Sequence, residues 1–454
     1  MAGNLSFDEL RVRAGRGEID TVIVAAPDMQ GRLVGKRFTA AHFIDSAHEE
    51  THCCNYLLAT DMEMETVGGF AAASWARGYG DYVMKPDMET LRLFPWAAGA
   101  AFIMADFLDH HGAPVVHAPR NVLKRQLERL KAMGFTMAAA TELEFFVFQE
   151  SYEALAADRW RDPTPISAYN EDYHIFQTAR EEGLMRAIRN GLMGAGVPVE
   201  NTKGEAEAGQ AEVNIRYDGG LETADNHIIV KEAVKEIAQA QGRAVTFMAK
   251  YSHQAAGSSS HIHQSLLDAS GAPAFHDPKD PMGMSDVMRA YLAGLLAHAA
   301  EVTFFLAPYV NSYKRFTRGL FAPTRAIWSV DNRTAGFRLV GEGTKAIRVE
   351  CRIGGSDLNP YLALAGQIAA GVAGIEGGLT LPPAFTGDAY AAESEPAIPP
   401  TLRDAIAAME RSDMLRAAMG DAVVDHYLHA ARWEQEDFDR KVTDYERRRG
   451  FERA

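Results

Sequence analysis

Four short segments carry most of the chemistry this sequence offers. The first is Thr141-Glu142-Leu143-Glu144-Phe145-Phe146. Side chains alternate between faces along a strand, so Glu142 and Glu144 would project together. Two carboxylates on one face, leading into an apolar run, are costly unless a cation lies between them. The second is Gly204-Glu205-Ala206-Glu207-Ala208-Gly209-Gln210-Ala211-Glu212, a glycine-bracketed acidic loop that runs into the strand-like Val213-Asn214-Ile215-Arg216. Hard carboxylate oxygens on a flexible loop suit Mg²⁺ or Mn²⁺. The third is Gly257-Ser258-Ser259-Ser260-His261-Ile262-His263-Gln264-Ser265-Leu266. It puts two imidazoles on one face, after a small-residue loop that lets a ligand approach the main chain. The fourth is rich in arginine: Asn311-Ser312-Tyr313-Lys314-Arg315-Phe316, then Asn332-Arg333, Arg338 and Arg348-Val349-Glu350-Cys351-Arg352. Guanidinium groups clamp carboxylates and phosphates through paired hydrogen bonds.

Taken singly, each segment also reads as ordinary surface: a solvated strand end, an acidic turn, one core and one surface histidine, a basic face. Taken together they supply what phosphoryl transfer needs, metal ions to neutralise phosphate oxygens and arginines to hold the moving group. The nucleotide cannot be held by a P-loop, because Gly31 to Lys36 has the wrong glycine spacing and lacks the following Ser or Thr. No complete Rossmann fingerprint is present either.

The elements that must position these residues follow from periodicity. Thr21-Val22-Ile23-Val24-Ala25 and Ala101-Phe102-Ile103-Met104-Ala105 read as strands, with Gly31 to Gly35 as a turn or hairpin. The polar run Asp109-His110-His111-Gly112-Ala113-Pro114 suggests a boundary, giving domains 1–113 and 114–454. Pro119, Leu123, Leu127 and Leu130 mark a helix that stops at Gly134, and Phe145 to Phe148 reads as a buried strand. Further helices are expected at Thr223–Gln241, Met284–Leu306, Pro360–Ile375, Pro400–Met409 and Ala422–Arg447. The expected class is α+β, with a small N-terminal unit and a large C-terminal one.

Composition narrows the setting. A chain of 454 residues buries a large core without staples, and its net charge of −15 excludes a nucleic-acid binder, which would need a basic stripe. The three cysteines, Cys53, Cys54 and Cys351, form neither a disulfide framework nor a zinc cluster. The start has no signal-peptide pattern and no stretch reads as a membrane span, so a cytoplasmic enzyme is expected.

In order, Glu142-Leu143-Glu144-Phe145-Phe146, Glu205 to Glu212, His261-Ile262-His263, Asn311-Ser312-Tyr313-Lys314-Arg315, Asn332-Arg333, Glu350-Cys351-Arg352 and Asn359-Pro360-Tyr361-Leu362-Ala363 resemble the glutamine synthetase family, class I type, over nearly the whole chain. The resemblance implies an N-terminal β-grasp domain and a catalytic domain of curved antiparallel sheet and helices. It implies a homo-oligomer, a dodecamer of two hexameric rings with sites between neighbours. It implies that Glu144, Glu205 and Glu212 ligate one divalent cation, and that Glu142, His261 and Glu350 ligate a second, with two or three Mg²⁺ or Mn²⁺ ions per site. His263, Ser265, Arg333 and Arg338 would meet ATP. Gly257, Arg315 and Arg352 would hold glutamate, with Arg315 and Arg333 also catalytic. The implied reaction is ATP-dependent ligation of the glutamate γ-carboxylate to an amine through a γ-glutamyl phosphate.

Two features depart from the family. Its flexible-loop Glu precedes an Ala-Pro, and here Phe321 precedes Ala322-Pro323. The usual Asp-Gly-Ser-Ser is absent, and Val67-Gly68-Gly69-Phe70 stands near its place. Losing two anions and gaining an aromatic favours an amine with carbon to bury over ammonium. The run Glu49 to Tyr56 and the Gly-Ser-Ser-Ser-His segment further resemble γ-glutamylmethylamide synthetases. Methylamine is therefore the expected amine. Ethanolamine or a polyamine, with Glu63 and Glu65 available for a second charge, and ammonium itself are the alternatives. A non-catalytic oligomer would show broken metal ligands, whereas all six matching positions hold Glu or His. Tyr390 lies in the region where some bacterial relatives carry a modified tyrosine but lacks its surroundings.

Overall fold

A computed structural model describes residues 3–454. Two sheets organise the chain. The smaller runs in the order Leu33–Thr39, Thr21–Pro27, Ala100–Leu108, Asp81–Pro86 and Thr51–Cys54, with the short Arg92–Leu93 also paired to Ala100–Leu108. Its central pair, Thr21–Pro27 with Ala100–Leu108, is parallel and its other pairs are antiparallel, the mixed pattern of a β-grasp unit.

The larger sheet has nine strands, in the order Trp328–Val330, Phe337–Val340, Arg348–Cys351, Ser260–Asp268, Phe135–Phe148, Gln210–Ile215 and Val199–Gly204, with Asp218–Gly219 and Ala244–Thr246 paired to the central strand. All its pairs are antiparallel except Trp328–Val330 with Phe337–Val340. The central strand, Phe135–Phe148, is long enough to have a polar middle and an apolar end. Leu143, Phe145 and Val147 turn to one face and pack into a buried cluster with Ile229, Val230 and Ile237 of the helix Gly220–Ala240. Glu142 and Glu144 occupy the opposite face, as alternation requires. The sheet is thus dry on its helix side and carries its acids on the other.

A buried ion network ties the smaller sheet to the helices that back the larger one. Arg120, in the first turn of the helix Pro119–Ala132, donates to Asp106 at 2.7 Å, Asp87 at 2.8 Å and both oxygens of Asp225 at 3.0 and 2.9 Å. Tyr361 Oη completes it with a 2.6 Å bond to Asp225. Burial alone would raise the Asp106 carboxyl, but Arg120 and Lys124 hold it low.

The helix expected over Met284–Leu306 is two helices, Asp286–Ala297 and Ala299–Leu306. His298 leaves helical geometry (φ −107°, ψ 11°) and its Nδ1 pairs with Glu301 at 2.9 Å. The last expected helix likewise ends at Arg440; Lys441 is extended, and Thr443 and Glu446 form a capping box that starts Asp444–Gly450. The helix Glu182–Gly194 was not among those expected, because its Gly191 and Gly194 discourage a helical reading. Those glycines pack against Trp96 and Pro95, where a Cβ would sit 3.3 and 2.9 Å from ring atoms. No helix among the described residues is long and apolar enough to cross a membrane.

Candidate active site

The register of the larger sheet brings the motifs together. Glu142 pairs with His261 across the ladder, Glu144 with Glu212, His263 with Glu350, and Arg338 with Glu350. Residues far apart in sequence become direct cross-strand neighbours, close enough for their side chains to meet. The outcome is a cavity of about 1050 Å³ on the acidic face of the sheet. Among the expected residues, Glu142, Glu144, Glu205, Glu212, Gly257, His261, His263, Ser265, Phe321, Arg333, Arg338 and Arg352 line it.

Glu144, Glu205 and Glu212 place a carboxylate oxygen each within 4.8 Å of one another. Burial, and then repulsion from Glu205, push the Glu144 and Glu212 carboxyls upward. Glu144 is fixed by the Ser259 N–H at 2.7 Å and by Gln210 Nε2 at 3.3 Å. Lys203 makes an ion pair with Glu205, so the cluster already attracts a cationic side chain.

Glu142, His263 and Glu350 form a second group of the same dimension. His261 belongs to it too, with Nδ1 3.0 Å from Glu142 and 3.6 Å from Glu350. Hydrogen bonding separates the two imidazoles. Arg348 Nε donates to His263 Nδ1 at 3.2 Å, so neutral His263 carries its proton on Nε2, which faces Glu142 at 2.9 Å. His261 Nε2 is buried without a partner, while Nδ1 faces the Glu142 carboxylate, so neutral His261 carries its proton on Nδ1 when no cation is bound. Burial lowers the His261 pKa to about 4, keeping it neutral. Burial would raise Glu350, but Arg352 and His261 pull it down to about 2. Arg338 Nη1 bonds Glu350 at 2.9 Å and Arg352 pairs with the other oxygen. The donor sets, one of three carboxylates and one of two carboxylates with imidazole, fit divalent cations.

Two expected residues stand elsewhere. Glu350 is fully buried behind the wall it supports. Arg315, expected to grip glutamate, is also buried: it donates to the carbonyls of Ile353 and Arg352 at 2.9 and 3.0 Å and to Ser259 Oγ at 2.9 Å. Its methylenes fill the space beside Gly257, where a Cβ would lie 2.5 Å from Arg315 Cγ. The glycine therefore admits Arg315 on that side, and not only a ligand. Arg315 Nη2 holds Ser259, whose N–H holds Glu144, so it supports the acidic cluster from behind.

Val67 to Phe70 lies outside the cavity, with Gly69 and Phe70 packed on His429 and His426 of the helix Asp421–Arg440. Glu63 and Glu65 sit on an exposed turn built on Asp61. Among the described residues that line the cavity, none precedes Ala138.

Sequence reasoning missed Lys203, Asp172 and Tyr173 in the wall. Lys203 flanks the acidic loop, which was a usable signal; Asp172 and Tyr173 belong to an irregular segment with no period to read. That segment rests on Glu171 and Glu181, buried carboxyls with partnerless oxygens. Burial, with the charges of Glu171 and Glu182, pushes Glu181 up to about 8, and burial pushes Glu171 up to about 7. The folded chain thus keeps protons that the unfolded chain releases near its ordinary value of 4.5. Stability from these groups is complete below that value and drains away as pH rises toward about 8. Glu181→Gln keeps the neutral form, and is expected to melt about 2–4 °C above the parent at pH 8.5, the shift for about 2–4 kcal/mol in a chain this long, with little gain at pH 5. Equal shifts at both pH values in thermal melts would contradict this.

Comparison with known proteins agrees with the geometry. The family model described as glutamine synthetase, catalytic domain, matches residues 116–450. The chain is 50% identical over 450 residues, covering 99% of it and 96% of the relative, to a γ-glutamylethanolamide synthetase of Streptomyces coelicolor. It is 35% identical to a glutamate–isopropylamine ligase of a Pseudomonas species, covering 94% of both chains. Among solved structures, a GmaS/ADP complex aligns with a TM-score of 0.85 at 26% identity, over 97% of this chain and 99% of that one. The chain belongs to the glutamine synthetase family of ATP-dependent ligases.

Proposed function

We propose that the protein joins the γ-carboxylate of L-glutamate to a short alkylamine, ethanolamine foremost, giving a γ-glutamyl amide, ADP and phosphate. A carboxylate resists attack by an amine because oxide is a poor leaving group. Transfer of the ATP γ-phosphoryl group makes a γ-glutamyl phosphate; the amine nitrogen then attacks the acyl carbon and phosphate departs.

Divalent cations, held by Glu144, Glu205 and Glu212 and by Glu142, His261 and Glu350, would neutralise phosphate oxygens during that transfer. His261 fits the second set better than His263, because a cation at its Nδ1 would leave the proton to the unpartnered Nε2, whereas Arg348 holds His263 Nδ1 as an acceptor; His263, with its Nε2–H at the cavity wall, is suited to donate to a phosphate oxygen. All of Arg333, Arg338, Ser265, Arg352 and Gly257 line the cavity; in this reading Arg333 and Arg338 would meet the transferred group, Ser265 the nucleotide, and Arg352 with Gly257 the glutamate. Arg315 acts through Ser259 and Arg352.

The observation that carries the choice of amine is Phe321. It lines the cavity and is 55% exposed, an aromatic surface where the family has an acid. Methylamine, the expectation from sequence, belongs to the same class. The 50% identity with a relative named for ethanolamide moves ethanolamine ahead of it. Assembly into two hexameric rings is part of this reading and is supported by the family resemblance together with a cavity that no described residue before Ala138 lines.

The test is phosphate release with ATP, Mg²⁺ and glutamate, comparing ethanolamine, methylamine, isopropylamine, putrescine and ammonium at matched free-base concentration. Ethanolamine is expected to exceed ammonium at least about tenfold in kcat/KM, the effect of burying one to two methylenes. Glutamine formed as fast as the ethanolamide would remove the alkylamine reading, and no phosphate release with any amine would remove the ligase reading.

A further inference from the structure

We propose that Tyr390 is a positioning residue for the amine side of the site, holding the Phe321 loop in the shape that selects the amine. This rests on the reading that Phe321 borders the amine pocket. The loop is conformationally costly: Gly319 has φ +81° and Phe321 has φ +55°. A non-glycine residue keeps such a backbone only where its surroundings impose it. Leu320 and Phe321 both line the cavity, so the shape of the loop is the shape of that wall.

The support beneath it is the segment Phe385 to Glu393. Phe385 N–H donates to the Trp328 carbonyl at 2.9 Å, and Ser329 Oγ donates to the Phe385 carbonyl at 2.7 Å. Asn332 Nδ2 donates to the Gly387 carbonyl at 2.9 Å, and Ala389 N–H donates to Thr334 Oγ1 at 3.1 Å. Ala389 and Ala392 pack with Ile327 and Ala335 in a small closed cluster. Arg318, within the loop, pairs with Glu393 at 3.3 Å. The segment is therefore fastened to the strand end that carries Arg333 and reaches the loop from below.

Tyr390 is the side chain that fills the junction. Its Oη is buried and has no hydrogen-bond partner. Around it lie the Phe321 main-chain amide, the guanidinium groups of Arg352 and Arg315, and the carboxylate of Asp388, which accepts from the Tyr390 N–H at 2.9 Å. A buried hydroxyl without a partner is costly, and the amide that would satisfy it belongs to the residue with the strained backbone. Closing that bond as an amine fills the pocket draws Phe321 down on its carbon atoms.

The experiment compares the parent with Tyr390→Phe, Phe321→Ala and the double variant, measuring kcat and KM for ethanolamine and for ammonium, with melting temperature as the check on folding. Tyr390→Phe is expected to raise KM for ethanolamine about fivefold, the loss of one hydrogen bond. It should leave kcat within about twofold and lower the preference for ethanolamine over ammonium by the same fivefold. The double variant should match Phe321→Ala alone, because the phenol acts through that residue. If Phe321→Ala shifts the preference and Tyr390→Phe does not, or if the two effects multiply, the positioning role is overturned and the reading of Phe321 stands. If Phe321→Ala leaves the preference unchanged, both fall.

Discussion

Glu212→Gln is expected to cut kcat roughly 1000-fold and to weaken Mn²⁺ binding roughly a hundredfold, while leaving the metal-free protein more stable than the parent. The three effects share one cause. Glu144, Glu205 and Glu212 bring their oxygens within 4.8 Å in a largely buried pocket, and two of the three carboxyls are driven upward by burial and by each other. Folding therefore concentrates negative charge that Lys203 and proton uptake relieve in part and that a divalent cation would relieve further. Glutamine keeps the shape and the hydrogen bond that Asn214 Nδ2 donates at 2.8 Å to Glu212 Oε1, yet removes one charge. Repulsion falls, so the metal-free fold gains; a ligand is lost, so the holo site weakens. The measurements are Mn²⁺ titration calorimetry, phosphate release with ethanolamine, and melting with and without the ion. A Mn²⁺ isotherm indistinguishable from the parent's would show that this cluster is not a metal site. A metal-free melting temperature below the parent's would show instead that Lys203 already neutralises the trio.

The sequence displayed the parts of this site but not the pairings between them. Alternation along a strand put Glu142 beside Glu144 and His261 beside His263, because that geometry is local. That Glu144 would face Glu212 and Glu142 would face His261 depends on the register between strands that lie dozens of residues apart. Only the family resemblance supplied that relation beforehand. Arg315 shows the same limit from the other side. Its residue type suggested a substrate clamp, yet three hydrogen bonds inside the protein occupy its guanidinium, and nothing in Ser312-Tyr313-Lys314-Arg315 announces those partners. Helix ends were legible where capping chemistry was explicit, as at Pro119 and Asn359-Pro360. They were not legible at His298, where a turn between two apolar helices keeps the apolar pattern continuous.

Phe321→Glu is expected to change the ratio of kcat/KM for ammonium to that for ethanolamine about 100-fold in favour of ammonium. The figure has two parts. Removing the aromatic surface takes away the burial of one to two methylenes of ethanolamine, about 0.8–1.6 kcal/mol or up to roughly tenfold. Placing a carboxylate at the mouth of the cavity attracts a small cation and helps it give up a proton, worth about tenfold at a half-exposed position. The backbone already suits the exchange in one respect: position 321 holds a non-glycine residue at φ +55°, in a loop with Gly319 on one side and the segment around Tyr390 beneath. In another respect it is demanding, since the new acid must not pair with Arg333 or Arg352, both on the same wall. Separate initial rates of glutamine and ethanolamide formation, read by product chromatography, decide the matter. A ratio unmoved by the substitution would mean that the amine is chosen elsewhere in the cavity, with Asp172 and Tyr173 as the next wall residues to change. A shift toward ammonium would make one side chain on a strained loop the main determinant of which amine this ligase accepts.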